Sequence, residues 1–267
     1  MSARVGVVGH VEFVEFIGVE RLPRAGEVVH GDEPMHRVGG GGGVACAALA
    51  AFGGEVEFFT ALGDDEPGRR SVAQLQERGV RVHAGAREQP TRRAVTLLER
   101  GGERTIVTLG GRLEPHGSDP LPWEALAGCA AVYVTAGDAA ALRHARRAGV
   151  LVATPRAGSA LASGVRLDAL VYSAEDPTEL AQAEALTNCA RIVVATEGAN
   201  GGRWWGEESG RWDPVAPPGP VLDTYGAGDT FAAVLAAALG AGDPMPDATA
   251  LAAEWAAQAL TYTGAPW

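Results

Sequence analysis

The sequence predicts an α/β fold, a mainly parallel sheet flanked by helices with a small antiparallel β lid. Short apolar runs alternate with helical patterns along most of the 267 residues, and two segments break that alternation. A hydrophobic content of 46% is enough to bury a large core. We expect one domain over residues 1–267, with lid segments at about 11–38 and 91–109.

The alternation begins with a buried strand at Val5–Val8, which Gly9 ends. Strand and helix patterns then follow one another as in βαβ units, which predicts a sheet covered on both faces. Further strands are predicted at 56–61, from 80, and at 131–135, 150–153, 170–171 and 192–195, and helices at 42–52, 67–79, 138–147, 178–186 and 230–239.

The lid segments are rich in threonine and valine and contain no helical pattern between their strands. Thr91–Leu98 and Arg104–Thr108 are predicted to form a hairpin, with its turn at Arg100-Gly101-Gly102-Glu103. We therefore expect a small antiparallel sheet apart from the main one.

Composition excludes several classes of function. The formal net charge of −11 argues against a nucleic-acid or anionic-membrane surface. The longest apolar runs are too short for a membrane span or a secretory signal, so we expect a cytoplasmic protein.

Cys46, Cys129 and Cys189 are widely spaced in apolar contexts, which predicts buried thiols. All 22 basic residues are arginine, and the absence of lysine excludes a Walker-type phosphate loop.

The most informative segment is Asp223–Asp229, which leads directly into an apolar helical run. A helix start presents unpaired amides and partial positive charge to an anion, and Gly226 and Gly228 allow close approach. A carboxylate at Asp229 would lie beside a bound phosphate and accept the proton of an attacking hydroxyl. The alternative is a helix cap with glycines for close packing.

This segment resembles the D-T-x-G-A-G-D hallmark of the ribokinase-like (PfkB) family of sugar and nucleoside kinases, and it matches every fixed position. The resemblance implies that Gly226, Ala227 and Gly228 form an anion hole and that Asp229 is the catalytic base. It also implies MgATP as the phosphoryl donor and Thr224 as a nucleotide contact.

A run of five glycines, Gly39–Gly43, precedes an alanine-rich helix. A dinucleotide site is disfavoured, because the run comes about thirty residues after the first strand. The run is similar to the family's G-G-x-x-x-N sugar motif, with Val44 in place of the asparagine. The resemblance implies substrate contacts at Gly40, Gly41, Gly42 and Gly43.

Two further segments resemble nucleotide-binding parts of the family. Thr196, Gly198 and Gly201 match a T-x-G-x-x-G loop, although a hairpin turn into Arg203-Trp204-Trp205 is the alternative. Thr261 and Gly264 match a closing T-x-x-G-A, which implies an adenine pocket or a monovalent-cation loop.

Other positions depart from the family pattern. The substrate-binding asparagine and aspartate that follow the first strand correspond to Glu12 and Val14. The N-x-x-E metal segment corresponds to residues 173–176, which implies Asp176, or Glu175 as its substitute, as the Mg²⁺ residue. Both could equally be charges at a helix start.

Charged lid residues leave two interpretations open. Glu12 and Glu15 belong to one extended segment, and they point either into a site or to solvent. Arg92, Arg93 and Arg104 are either solvated or turned inward to clamp a phosphate.

The resemblance implies an ATP-dependent kinase acting on a hydroxyl of a small sugar or polyol, with ATP and that small molecule as its partners. Val14 and Val44 keep a nucleoside kinase open, since an apolar pocket suits a base. Loss of the hydroxyl ligands keeps a non-catalytic nucleotide-binding protein open. Exposed lid edges leave a homodimer through the lid open.

Overall fold

The computed structural model describes residues 4–100 and 104–264. The strands are β1 (Arg4–Val8), β2 (Glu12–Val19), β3 (Met35–Gly39), β4 (Glu55–Gly63), β5 (Arg81–Arg87), β6 (Arg93–Glu99), β7 (Arg104–Leu109), β8 (Ala131–Val134), β9 (Val150–Ala153), β10 (Leu167–Ser173), β11 (Ala190–Thr196), β12 (Gly202–Gly206) and β13 (Gly210–Trp212). The α-helices are α1 (Gly40–Ala51), α2 (Glu66–Gln76), α3 (Ala139–Ala145), α4 (Pro177–Leu186), α5 (Ala227–Ala241) and α6 (Met245–Ala259).

The main sheet has nine strands in the order β13-β12-β11-β10-β9-β8-β1-β4-β5. The strands from β11 to β5 run parallel, as the alternating pattern predicts. The antiparallel strands β12 and β13 extend this sheet, so the hairpin into Arg203-Trp204-Trp205 is present. Because the strands from β11 to β5 are parallel, their carboxyl ends meet at one edge of the sheet, where ligands of open α/β sheets bind.

The lid is a four-stranded sheet in the order β3-β2-β6-β7. Two antiparallel pairs, β2–β3 and β6–β7, are joined by a parallel pair, β2–β6, which the sequence analysis did not predict. The direction follows from the chain path: β2 comes after β1 and β6 after β5, and those two main-sheet strands point the same way. Residues 101–103 of the predicted hairpin turn lie outside the described residues, and Leu98 and Arg104 pair on either side of it.

Helices α1 and α5 form the centre of the main core. The residues from Gly40 to Leu49 of α1 and from Asp229 to Ala238 of α5 are buried. These segments are mostly alanine and glycine, which allows the two helices to approach closely. Helix α6, which had no counterpart in the sequence analysis, packs on α5. Its alanine-rich sequence lacks a clear apolar stripe against a polar face.

The cysteines are free thiols. Cys46 and Cys129 are buried as predicted, and burial raises the pKa of both. Cys189 is only half-buried. Among the described residues, none of the helices combines the length and apolar character that a membrane crossing requires.

Candidate active site

The hallmark segment turns sharply into α5 at the carboxyl edge of the main sheet. Gly226 has φ +77°, and a Cβ on it would lie 2.6 Å from Val44 Cγ1, so both conformation and space require glycine. The Thr230 N–H donates to the Gly226 carbonyl at 2.8 Å. The amides that precede Thr230 therefore lie at the open start of the helix, where an anion can accept from them.

Asp229 is buried in the first turn of α5, with 5% of its surface exposed. The hydroxyl of Tyr133, on β8, donates to Asp229 Oδ1 at 2.9 Å. Arg156 Nη1 donates to Asp229 Oδ2 at 3.2 Å. Burial and the Asp229 charge raise the pKa of Tyr133, which keeps this phenol protonated as a donor. The carboxylate is thus held in one orientation by two side chains from outside α5.

Arg156 follows β9 and joins Asp229 to a second buried acid. Its Nε donates to Glu179 Oε1 at 2.6 Å, while Glu179 Oε2 accepts from the Ser173 N–H at 2.9 Å. The charge of Asp229, together with that of Glu179, raises the pKa of Arg156 despite its partial burial. The sequence analysis missed Arg156, Glu179 and Tyr133, because nothing in their local sequence separates them from structural residues.

The glycine segment contributes two of its predicted residues to the site. A Cβ on Gly41 would touch Thr135 Oγ1 and lie 3.0 Å from Asp229 Oδ1, so Gly41 borders the Asp229 carboxylate. The Gly40 N–H donates to the hydroxyl of Tyr225 at 2.8 Å.

The two later glycines point into the core. A Cβ on Gly42 would lie 2.8 Å from the Phe58 ring, and one on Gly43 would lie 3.1 Å from Val38. The Gly42 N–H already donates to the His10 carbonyl. The structure therefore does not bring Gly42 and Gly43 to the site, because they pack α1 against the strands.

Glu12 lies at the start of β2 and is buried, with 8% of its surface exposed. His10 Nε2 lies 3.6 Å and Arg92 Nε 3.1 Å from Glu12 Oε1. Burial alone would raise the pKa of Glu12, but the hydrogen bond and charge of His10 and the charges of Arg92 and Arg112 hold it below its ordinary value. Glu12 is therefore an ionised group next to the glycine segment.

Two buried polar atoms beside this segment have no hydrogen-bond partner in the described part of the chain, His10 Nδ1 and Thr135 Oγ1. Buried polar atoms are nearly always paired in folded proteins. Thr135 Oγ1 faces Gly41, where a bound polar ligand would satisfy it, and the His10 ring faces Gly40 through Cδ2 and Nε2.

Val14 and Val44 are fully buried and do not line an open pocket. Each packs in a cluster with Tyr225, whose ring fills the space between the lid and α1. The expectation that these valines would contact a base or a deoxygenated ring is therefore not supported, since Tyr225 covers both.

The lid arginines form ion pairs with acids. Arg92 pairs with Glu12, Arg93 with Glu15, and Arg104 with Asp223, the first residue of the hallmark. Asp223 is 2% exposed. Its Oδ1 also accepts from the Tyr225 N–H at 2.9 Å, and its Oδ2 accepts from the Gly264 N–H at 3.1 Å. Asp223, which the sequence analysis did not single out, ties the lid to the two C-terminal motifs.

The predicted nucleotide and metal residues meet at the ends of β10 and β11. Gly198 and Gly201 adopt φ +54° and +78°, and a Cβ on Gly198 would collide with the carboxylate of Glu175. Asp176 Oδ1 accepts from the N–H groups of Thr178 and Glu179 at 2.8 and 3.2 Å, so Asp176 caps α4.

The remaining predicted nucleotide residues are spread around this edge. Thr196 ends β11, and its hydroxyl lies 3.4 Å from the Tyr172 carbonyl. Thr224 is exposed beside Asp223. The hydroxyl of Thr261 donates to the Gln258 carbonyl at the end of α6, so its side chain serves that helix end.

Comparison with known proteins identifies a family that matches nearly the whole chain. The family model for pfkB family carbohydrate kinases matches residues 2–161 and 166–266. The chain is similar to ribokinase from Arabidopsis thaliana, with 26% identity over 289 residues that covers 97% of this chain and 76% of that protein. It is also similar to the bifunctional protein HldE from Alkalilimnicola ehrlichii, with 32% identity over 281 residues, 94% of this chain and 58% of that protein.

Solved structures confirm the predicted fold class. The microbiome-derived acarbose kinase Mak1 superposes with a TM-score of 0.82 at 27% identity, covering 100% of this chain and 95% of that chain. The structure of Arabidopsis thaliana ribokinase complexed with ribose and ATP superposes with a TM-score of 0.76 at 22% identity, covering 99% and 95%. The predicted family is confirmed as well: the chain belongs to the pfkB family of carbohydrate kinases.

Proposed function

We propose that this protein is an ATP-dependent kinase that transfers the γ-phosphoryl group to a hydroxyl of a small sugar or polyol. The observation that carries the proposal is the buried carboxylate of Asp229 in the first turn of α5, beside the open amides of that helix. A base and an anion site thus lie within one turn of helix, as phosphoryl transfer to a hydroxyl requires.

In the proposed reaction, the acceptor oxygen forms a bond to the γ-phosphorus while the bond from that phosphorus to the bridging oxygen breaks. The electrons of the broken bond leave with ADP, and the hydroxyl proton passes to Asp229. Tyr133 and Arg156 orient the carboxylate, and Gly41 leaves room for the acceptor beside it. The helix-start amides stabilise charge on the transferring group.

The residues at this edge fit Mg²⁺ only if phosphate groups of the nucleotide bind the ion together with them. The described residues contain no group of three or more His, Cys, Asp or Glu side chains that would form a cage. Mg²⁺ in kinase sites keeps several waters and uses one or two carboxylates plus substrate phosphates. Asp176 and Glu175 would hold it here, and the ion would neutralise phosphate charge.

The nucleotide side is proposed from the placement of Thr196, Gly198 and Gly201 beside Glu175, and of Thr224 and Gly264 around Asp223. The ribokinase of Arabidopsis thaliana was solved with ATP, which supports ATP as the donor here. A monovalent-cation loop at Thr261 and Gly264 stays a prediction.

The substrate side is proposed to be the surroundings of His10, Glu12, Gly40, Gly41 and Thr135. The unpaired hydroxyl of Thr135 and the ionised Glu12 suit a ligand with several hydroxyl groups, which both donate and accept hydrogen bonds. This favours a sugar or polyol over a nucleoside. The side chains that hold Asp229 in place also speak against a non-catalytic protein.

The test is ATP consumption by purified protein with Mg²⁺ over sugars, polyols and nucleosides. We expect turnover with at least one sugar or polyol. Turnover confined to nucleosides would replace the substrate class. Tight ATP binding without transfer to any acceptor would instead favour the non-catalytic alternative.

A cytoplasmic location and a homodimer through the lid are kept as part of the proposal. The edge strand β7 exposes Ile106, Val107 and Leu109, and such an edge is open to pairing with a second copy. Sedimentation of the purified protein would distinguish a monomer from a dimer.

A further inference from the structure

We propose that Arg156 is a catalytic residue that binds the transferring phosphoryl group through Nη2, as the positive side chain of an anion hole otherwise built from backbone amides. This inference rests on the proposed kinase function. It assigns a role to a residue that belongs to none of the motifs in the sequence.

The position of Arg156 places its guanidinium at the open start of α5. Arg156 follows the carboxyl end of β9, at the same edge of the sheet as the hallmark turn. Its Nη1 reaches Asp229, and its Nη2 lies 4.0 Å from the place a Cβ on Gly228 would take. A group bound over Gly228 would therefore meet Nη2 directly.

The guanidinium is also held in orientation from the side away from the helix. Glu179, which is 5% exposed, accepts from Arg156 Nε and is itself fixed by the Ser173 N–H. The Arg156 side chain nevertheless keeps 39% of its surface exposed, so it is open to a ligand. With Nε on Glu179 and Nη1 on Asp229, Nη2 is the part of the guanidinium that is left to donate to a phosphate oxygen.

The charges around the site favour this role. The chain has no lysine, and the edge carries four carboxylates, those of Asp229, Glu179, Glu175 and Asp176. A triphosphate entering such an edge requires cationic partners in addition to amides and Mg²⁺. Arg156 remains charged because its acidic neighbours raise its pKa.

The role fits the transfer step without any further reactant. As the bond between the γ-phosphorus and the bridging oxygen breaks, negative charge is spread over the three peripheral oxygens, and Nη2 donates to one of them. The acceptor proton still passes to Asp229, and the bond electrons still leave with ADP. Because ADP lacks the γ-phosphoryl group, Arg156 contributes to transfer and little to ADP binding.

The experiment compares Arg156→Gln and Arg156→Lys with wild type, using the best acceptor found for wild type. Arg156→Gln leaves buried Glu179 without its partner, so the double variant Arg156→Gln/Glu179→Gln restores a neutral pair and guards against misfolding. The matched control is Arg146→Gln. Arg146 pairs with Asp168 and precedes β9, so it lies at the end of that strand opposite to Arg156.

We expect kcat to fall about 10²- to 10³-fold in both Arg156→Gln and the double variant, as for loss of one charge-stabilising donor. Affinity for ADP alone, measured by calorimetry, should change less than about threefold. Affinity for ADP with aluminium fluoride, which mimics the transferring group, should fall with kcat. Arg156→Lys should recover only part of the loss, and Arg146→Gln should keep wild-type kcat.

Equal loss of affinity for ADP and for ADP with aluminium fluoride would overturn the inference, because it would show a structural role. A shift in the pH profile of kcat without any change in aluminium fluoride affinity would overturn it too, because Arg156 would then only position Asp229. Unchanged turnover in folded variants would overturn the inference alone, whereas absence of transfer by wild type to any acceptor would overturn the proposed function and this inference with it.

Discussion

The two ends of the proposed site, one for the phosphoryl group and one for the substrate, are built from different chemical groups. At the proposed phosphoryl end, backbone amides at the start of α5 and one carboxylate, Asp229, lie within seven consecutive residues, Asp223–Asp229. At the proposed substrate end, the side chains of His10, Glu12 and Thr135 lie around the glycine segment, and Glu12 departs from the family pattern.

The difference follows from what each end must recognise. A phosphoryl group is the same in every reaction of this kind, and amides at a helix start can bind it only with small residues and a fixed turn. A substrate is recognised by side chains, which can be exchanged while the backbone is kept. Tyr225 shows this exchange: it lies inside the hallmark, at its one variable position, yet covers Val14 and Val44 at the substrate end.

The largest expected effect is at the phosphoryl end. Asp229→Asn should lower the rate of transfer about 10²- to 10⁴-fold, because the amide cannot take the hydroxyl proton. The affinity for ATP should stay close to wild type, since Asp229 is not proposed to bind the nucleotide. Steady-state kinetics and calorimetry would measure both, with exposed Asp243→Asn as the control. Turnover within threefold of wild type would remove Asp229 from its role.

Two substitutions of Gly228, at the same end, distinguish the effect of an added charge from the effect of an added side chain. A Cβ added to Gly228 would have Arg156 Nη2 as its nearest neighbour, at 4.0 Å. A side chain therefore fits there. Gly228→Asp should weaken ATP binding at least about tenfold, or about 1.4 kcal/mol, because it places a carboxylate where the phosphate binds. Gly228→Ala adds a Cβ without charge and should bind ATP much more tightly than Gly228→Asp. Equal ATP affinity of these two variants would argue against an anion hole.

The same contrast explains how much of the molecule could be predicted from the sequence. The parallel strands and the hallmark were predictable because their signals are contiguous: apolar runs, glycines and an acid in one segment. The parallel pairing of β2 with β6 was not, since it depends on the directions in which β1 and β5 leave the main sheet.

Arg156 was not predictable for a related reason. Its partners, Glu179 and Asp229, lie 23 and 73 residues away in sequence. Nothing in Thr154-Pro155-Arg156 distinguishes a site arginine from a solvated one, although a strand end at the carboxyl edge of a parallel sheet is the place to look. Val14 and Val44 were misinterpreted because their shared neighbour Tyr225 is distant in sequence.

A smaller effect is expected at the substrate end. Glu12→Gln should reduce the free energy of unfolding at neutral pH by about 1.5 kcal/mol, because His10 and Arg92 lose a charged partner. The pKa of Glu12 is lowered in the folded state, so its contribution is present above the unfolded value of about 4.3 and is lost as pH falls through the lower folded value. Denaturant unfolding from pH 7 to pH 3 would show the difference between wild type and variant shrinking.

The control for this change is Glu15→Gln, which lies on the opposite face of β2 and is paired with Arg93. Glu12→Gln should also alter the substrate profile, whereas Glu15→Gln should leave it unchanged. An unaltered profile in both variants would place Glu12 outside the substrate pocket and leave the substrate end to His10 and Thr135.

The smallest expected effect tests Asp176, where a helix cap and a metal residue overlap. Asp176→Ala removes both roles and should cost about 1 kcal/mol of stability, since Thr178 and Glu179 lose their common acceptor. Asp176→Asn keeps an oxygen for those two N–H groups but removes the charge, so its stability should stay within a few tenths of a kcal/mol of wild type. If Asp176 holds Mg²⁺, the asparagine variant should need severalfold more Mg²⁺ for half-maximal turnover while unfolding at the wild-type temperature.

Glu175→Gln is the matched comparison, because Glu175 lies against Gly198 and caps no helix. A larger shift in Mg²⁺ requirement for Glu175→Gln than for Asp176→Asn would assign the metal to Glu175 and leave Asp176 with the cap alone.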